Sequence, residues 1–286
     1  MGSTYLVADI NEKSGRHVLG RLENGKLKLE EVYRFEVKHI RKDTKKLWDL
    51  EYIFEQIKTG IAKCKKLGRL PVLVGLTACD GCFVFIDKDN KVLDNMVFNF
   101  NSGENPEIFK SHYSDYIQRA KCFLALSDYF NYLLSGKLQC NYTNLLLPGW
   151  PISRDTMDWN EDNITRTGFD KSQFSPVVYP GSVIGNLTLE VTEEIGYDFI
   201  LIQTLSRQKA SAIFKMAEIP GPDDDENIKR TGNIQQTDKK RLTENIDAAD
   251  ELKSIIGCLS ILMITSHELE DMEAAKACIR NTFYAG

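Results

Sequence analysis

Thr4-Tyr-Leu-Val-Ala-Asp-Ile10 is a short apolar run ending on an acidic residue, and the polar group Asn11-Glu-Lys-Ser-Gly15 behind it is turn chemistry. Together they read as a strand and the bend of a hairpin. The return strand runs from Arg16 to Leu22. Asn24-Gly25 then supplies the strongest short hairpin signal before a third strand from Leu27 to about Val37. Working outward, Leu50 to Leu67 brings Ile53, Ile57 and Ile61 onto one helical face, with Gly68 set to cap it. Pro71-Val-Leu-Val-Gly-Leu76 follows as a buried strand, and Cys82–Asp87 and Lys91–Phe98 flank Lys88-Asp-Asn90 as a second hairpin.

Three antiparallel strands, a helix and a fresh apolar strand are the front end of an α/β layer of the ribonuclease H-like (actin/hexokinase) type, a mixed sheet flanked by helices. Beyond it, Ser111–Leu126 and Asp128–Gly136 read as helices and Tyr197–Thr204 as a strand. From Gly221-Pro-Asp-Asp-Asp-Glu226 the chain turns polar, which predicts three parts: a domain over 1–220, an exposed linker over 221–242 and a short helical tail over 243–286. In that tail Leu252, Ile255, Ile256, Leu259 and Leu262 mark one apolar face, and Thr265 with Glu268 fits a capping box that would divide it in two.

The 286 residues are 42% hydrophobic and 27% charged, enough for one large core. The net charge of −5, with both signs interspersed, offers no basic footprint for nucleic acid. No stretch reaches the ~20 apolar residues of a membrane span, and Tyr5–Ile10 is too short for a secretory signal, so a cytoplasmic protein is expected. The seven cysteines read as reduced thiols. Cys79-Asp-Gly-Cys82 fits a redox pair or half of a zinc site, but no second CxxC or HxxxH supplies further ligands and the four histidines are isolated. Ordinary residues at a strand end are favoured, and no metal site is predicted from these residues.

Asp128-Tyr-Phe-Asn-Tyr-Leu-Leu-Ser-Gly-Lys137, followed by Tyr142-Thr143-Asn144, resembles the segment lining the floor of the sugar cleft in carbohydrate kinases of the FGGY family, in the form typical of rhamnulokinases. The resemblance continues in order through Asp158-Trp159, Gly168-Phe169, Phe174-Ser-Pro-Val-Val178, Pro180-Gly-Ser-Val-Ile-Gly185 and Glu190–Gly196. At the front, Ala8-Asp9-Ile10 with Ser14-Gly15-Arg16, then Leu29–Phe35 and Leu47-Trp-Asp49, match as well, so that it covers residues 5–218. It implies a sugar-side domain, a sugar ligand, and ATP-dependent phosphorylation of L-rhamnulose with ATP and magnesium held mostly by a second domain.

What the resemblance implies for single residues is uneven. Asp9, Ser14 and Arg16 fall on the phosphate and metal side, but Asn11-Glu12-Lys13 replaces the family's glycine and hydroxyls; Asn11 could still adopt positive φ, while Glu12 repels phosphate. A metal contact and a turn-forming role remain open for Asp9. Cys82 takes the place of a sugar-site aspartate, and Asp80, two strand residues away, would be set back by ~7 Å. Tyr142, Thr143 and Asn144 are the sugar-cleft candidates. The family's two arginines are missing from Asn99–Gly103. Thr204-Leu-Ser-Arg-Gln-Lys-Ala-Ser-Ala212 aligns with the catalytic segment and puts Gln208 at the base position, where an amide cannot accept the hydroxyl proton. The resemblance stops by about Pro220, short of the family's ATP side, so ATP and magnesium binding is doubtful in this chain. Two expectations follow: a truncated rhamnulokinase-like carbohydrate kinase, weak or inactive alone; or a non-catalytic sugar-binding or regulatory protein, associating with itself or a complementary chain through 243–286. A blander role for the tail is to cover apolar surface.

Overall fold

The computed structural model describes residues 3–42, 45–99, 106–146, 152–216 and 253–284. The predicted linker over 221–242 lies outside them, as do residues 100–103 of the arginine-poor stretch. Strands β1 (Tyr5–Ile10), β2 (Ser14–Glu23) and β3 (Lys26–Glu36) form the expected antiparallel meander. Helix α1 (Leu50–Lys66) crosses over to β6 (Leu73–Ala78), which pairs parallel with β1. Between β3 and α1, β4 (His39–Lys42) and β5 (Lys45–Trp48) make a small hairpin that the sequence reading does not contain. With β12 (Val183–Gly185) and β13 (Ile200–Ile202) the main sheet has the order β12-β13-β6-β1-β2-β3, mixed as predicted.

Helix α1 starts on Asp49, whose carboxylate accepts the Tyr52 N–H, and stops at Gly68 in the left-handed region (φ 67°), where the Arg69 N–H returns to the Cys64 carbonyl. The predicted helix over Ser111–Leu126 is instead three elements. Helix α2 (Pro106–Arg119) ends before the short strand β9 (Cys122–Ala125), and α3 (Leu126–Ser135) follows at once. Cys122-Phe-Leu-Ala125 is an apolar run of four, which periodicity alone cannot assign. Its pairing with β7 (Cys82–Ile86) decides it, and β8 (Val92–Asn99) completes that second sheet. After β10 (Cys140–Asn141) come short helices α4 (Glu161–Thr167) and α5 (Leu189–Ile195), with β11 (Val177–Val178) between them. Helix α6 (Arg207–Met216) follows β13.

The strands of the main sheet alternate between two cores. Leu6, Ala8, Ile10, Leu19, Val74, Leu76 and Leu201 face α1 and α3, while Tyr5, Val7, Val18, Leu73 and Ile202 face the opposite layer. The second layer is α6 and a helix over residues 253–265, here α7, whose Ile255, Ile256, Leu259 and Leu262 are fully buried on the sheet. The described part of the tail therefore spends its apolar face inside the molecule, whereas residues 243–252, with Leu252, lie outside the described residues. The tail does divide in two, but not by the predicted capping box. His267 (φ 61°) ends α7, with Glu268 N–H bonded to the Met263 carbonyl, and Asp271 caps α8 (Met272–Tyr284) by accepting the Ala274 N–H. The Tyr5 hydroxyl meets Ser266 Oγ at 2.6 Å, tying β1 to this turn.

At Gly257 the two helices of this layer meet backbone to backbone, since a Cβ there would strike the Ala210 carbonyl. Gly257→Ala should cost about 1–3 kcal/mol by overpacking, and Leu259→Ala about 2–5 kcal/mol by leaving a cavity against the sheet. Urea denaturation measures both, and losses under about 0.5 kcal/mol, the level of neutral surface changes, would show that α7 is not seated on the sheet.

Candidate functional site

The parallel strands β1, β6 and β13 end on the same side of the sheet, the edge at which open α/β sheets place ligands. Asp9, on the face shared by Tyr5 and Val7, points toward α6. It is 1% exposed. Arg207, the first residue of α6, donates Nε to Asp9 Oδ1 at 3.0 Å and Nη2 to Oδ2 at 3.4 Å. Arg16, also buried, stands opposite Asp9 in the β1–β2 pair. Burial raises the Asp9 pKa above its ordinary value, with Arg207 and Arg16 pulling the other way. Arg207 is held above its own ordinary value: burial opposes its charge, but Asp9 and Asp80 outweigh it. The turn after β6 carries Asp80, whose Oδ2 accepts the Gln208 N–H at 2.9 Å and so caps the first turn of α6. The Gln208 side chain is exposed.

The β1–β2 bend is closed by its own side chain. Asn11 Oδ1 accepts the N–H groups of Lys13 and Ser14, both at 2.8 Å, and Asn11 N–H bonds to the Ser14 carbonyl. Asn11 does not take positive φ, contrary to the expectation for it. Three backbone donors of the bend, those of Asn11, Lys13 and Ser14, are thereby occupied. Beside the bend, a groove of about 780 Å³ sets Glu12 and Glu36 against Lys13 and Arg34, with no excess of positive charge.

Behind α6 lies a buried polar network. Asp128, on α3 and 1% exposed, accepts from Asn141 N–H and Asn144 Nδ2, both at 3.1 Å. Asn141 Nδ2 in turn donates to Gln203 Oε1 and to the Thr204 carbonyl, and Thr143 Oγ1 accepts the Ser206 N–H at 2.8 Å. These bonds fix the β13–α6 connection to the floor beneath it. No cation stands among the Asp128 partners, and burial pushes its carboxyl up to about 7 against their hydrogen bonds.

The structure thus brings Asp9, Arg16, Thr143 and Gln208 around one junction. Ser14 sits in the bend, bonded to Asn11. Asn144 joins the Asp128 network, and Tyr142 lies against Tyr179 with ring centroids 5.8 Å apart. Cys82 is 3% exposed in the core, and its thiol together with burial holds the Cys79 thiol well above its ordinary value. Arg207 is the residue the sequence reading missed, and Asp80 is one it set aside as set back along a strand. Asp80 reaches α6 because it lies in a turn with Gly81 (φ 73°) rather than in a strand. Nothing in the sequence pairs Arg207 with Asp9, which are 198 positions apart. A magnesium ion does not fit these residues: both Asp9 oxygens are engaged by Arg207, and no group of three or more His, Cys, Asp or Glu gathers among the described residues.

A rhamnulokinase of Oceanobacillus iheyensis is 31% identical over 249 aligned positions, covering 76% of this chain and 53% of its own. One from Halalkalibacterium halodurans is 29% identical over 245 positions, with 75% and 52% covered. Xylulose kinase from Lactobacillus acidophilus superposes with a TM-score of 0.62 at 16% identity, covering 75% of this chain and 50% of that one. No family model matches the chain. With the sheet order, these likenesses show that the chain belongs to the FGGY carbohydrate kinase family as a divergent homologue of its N-terminal domain, on the rhamnulokinase branch. It spans about half the length of the curated relatives it matches. No helix among the described residues is long and apolar enough to cross a membrane.

Two buried groups give opposed pH responses. Asp128 keeps its proton to about pH 7 in the fold, so the stability it confers is full below its ordinary value of 3.8 and is lost as pH rises to about 7. His17, buried between β2 and α1 with Nε2 at 3.1 Å from the Ile57 carbonyl, is lowered by burial from 6.5 to about 4, so its contribution is full above 6.5 and is lost as pH falls toward 4. Relative to the parent chain, the stability of Asp128→Asn should rise between pH 4 and 7, by on the order of 4 kcal/mol, and that of His17→Gln should fall between pH 4 and 6.5, by on the order of 3 kcal/mol. Denaturant midpoints across this range measure both, and differences of the same sign would refute the assignment.

Proposed function

We propose that this chain is a rhamnulokinase-like carbohydrate-kinase homologue that transfers phosphate weakly or not at all by itself, the family reaction being ATP-dependent phosphorylation of L-rhamnulose. The observation that carries this reading is the start of α6. The position that resemblance gives to the catalytic base is Gln208, whose amide takes no proton near neutral pH. The carboxylates that reach α6 are both committed, Asp9 to Arg207 and Asp80 to the Gln208 N–H. Loss of a general base costs ~10²–10⁴ in rate. The closed bend at Asn11 supports the same reading, because phosphoryl transfer depends on donors that cradle the phosphates. ATP and magnesium enter by resemblance alone, and the second does not fit the residues present.

A second reading, sugar binding without transfer, draws on the floor of the cleft. Thr143 and Asn144 keep their family identities and are held in place by Ser206 and Asp128. Association through the apolar face of α7 gains no support, since that face packs on the sheet. The test is a coupled assay with L-rhamnulose and Mg-ATP beside calorimetric titration of the sugar alone. Turnover should lie at least ~10²-fold below the ~1 per second at the low end for kinases. A turnover near ~1 per second would overturn the proposal. Sugar binding without turnover would favour the second reading.

A further inference from the structure

Asp9 is a carboxylate with 1% of its surface exposed, and a buried carboxylate is costly unless a cation accompanies it. Here the cation belongs to the chain. Arg207 donates to both Asp9 oxygens, a fork-on-carboxylate geometry that a planar guanidinium supplies and a lysine would not. The next residue, Gln208, is bound through its N–H by Asp80 from the turn after β6. Two carboxylates from the ends of neighbouring parallel strands therefore grip consecutive residues at the start of one helix. In this arrangement both oxygens of Asp9 and one oxygen of Asp80 are engaged by the start of α6.

We propose that Arg207 is a built-in cation standing where a divalent metal would otherwise neutralise Asp9, so that this junction is held together without metal. The inference does not depend on whether any phosphate is transferred. It makes Arg207 a positioning residue: it clamps α6 onto β1 and fills the charge requirement of Asp9 in every state in which the helix is docked. Arg16, facing Asp9 across the hairpin and within 3.9 Å of Glu31, adds positive potential that also disfavours an incoming ion.

The probe is Mn²⁺, followed by its electron paramagnetic resonance signal and by thermal unfolding of the full chain. The parent chain should bind no Mn²⁺ up to millimolar concentration and keep its melting temperature in Mg²⁺ or Mn²⁺. Arg207→Ala should melt roughly 10 °C lower, bind Mn²⁺ and recover part of that loss in its presence, whereas Arg207→Ala with Asp9→Asn should neither bind nor respond. Arg207→Lys should stay indifferent to Mn²⁺. Submillimolar Mn²⁺ binding by the parent chain would overturn the proposal, and that measurement stands even if Arg207→Ala does not fold. A folded Arg207→Ala variant that ignores Mn²⁺ would also overturn it.

Discussion

A sheet with parallel strands at its centre must be covered on both faces, and the cover of the second face is the constraint on which the rest of this structure depends. Residues on β1 alternate between two apolar layers, so neither can be removed without exposing half of the strand. Helices α1 and α3 supply one layer. The other is built from α6 and α7, which approach so closely at Gly257 and Ala210 that no side chain fits between them. Because α6 is locked into this layer, its first turn arrives at the carboxyl ends of β1, β6 and β13 in one fixed position. The placement of the junction's groups is thus a consequence of how α6 packs on the sheet.

The same arrangement fixes which side chains stand at the junction. The backbone that delivers groups to the junction is intact, and the polar network below it, from Asp128 to Gln203, is well bonded. At the junction stand the amide of Gln208, the guanidinium of Arg207 and a self-closed bend at Asn11, the groups on which the proposed weakness in transfer rests. The guanidinium is satisfied by Asp9, the bend by Asn11 and the backbone N–H of Gln208 by Asp80, so the junction is held as a cross-brace between sheet and helix.

Much of the architecture was legible because local signals and global fold agree. The turn residues Asn11–Gly15 and Asn24-Gly25, the face of Ile53, Ile57 and Ile61, and the apolar run to Leu76 gave the meander, crossover helix and parallel strand. What was misread depended on distant partners. Cys122-Phe-Leu-Ala125 becomes a strand only because β7 lies beside it, and the hairpin of β4 and β5 has charged residues that carry no strand signal. At the site, the role of Gln208 rests on motif resemblance alone. The meeting of Arg207 with Asp9 and the reach of Asp80 to α6 could not be read from the sequence, since they follow from the closing of β13 onto β6 and the bend at Gly81.

The seat of α7 also has a temporal side. The chain is made from its N-terminus at about 5–20 residues per second, so β13 emerges several seconds before the helix that covers it. For that interval Tyr5, Val7, Val18, Leu73 and Ile202 form an open apolar surface on an otherwise paired sheet. The contacts that close it span most of the chain, as between Tyr5 and Ser266, and such long loops form slowly. In the nascent protein the apolar face under α7 therefore waits for a segment made later before it can be covered.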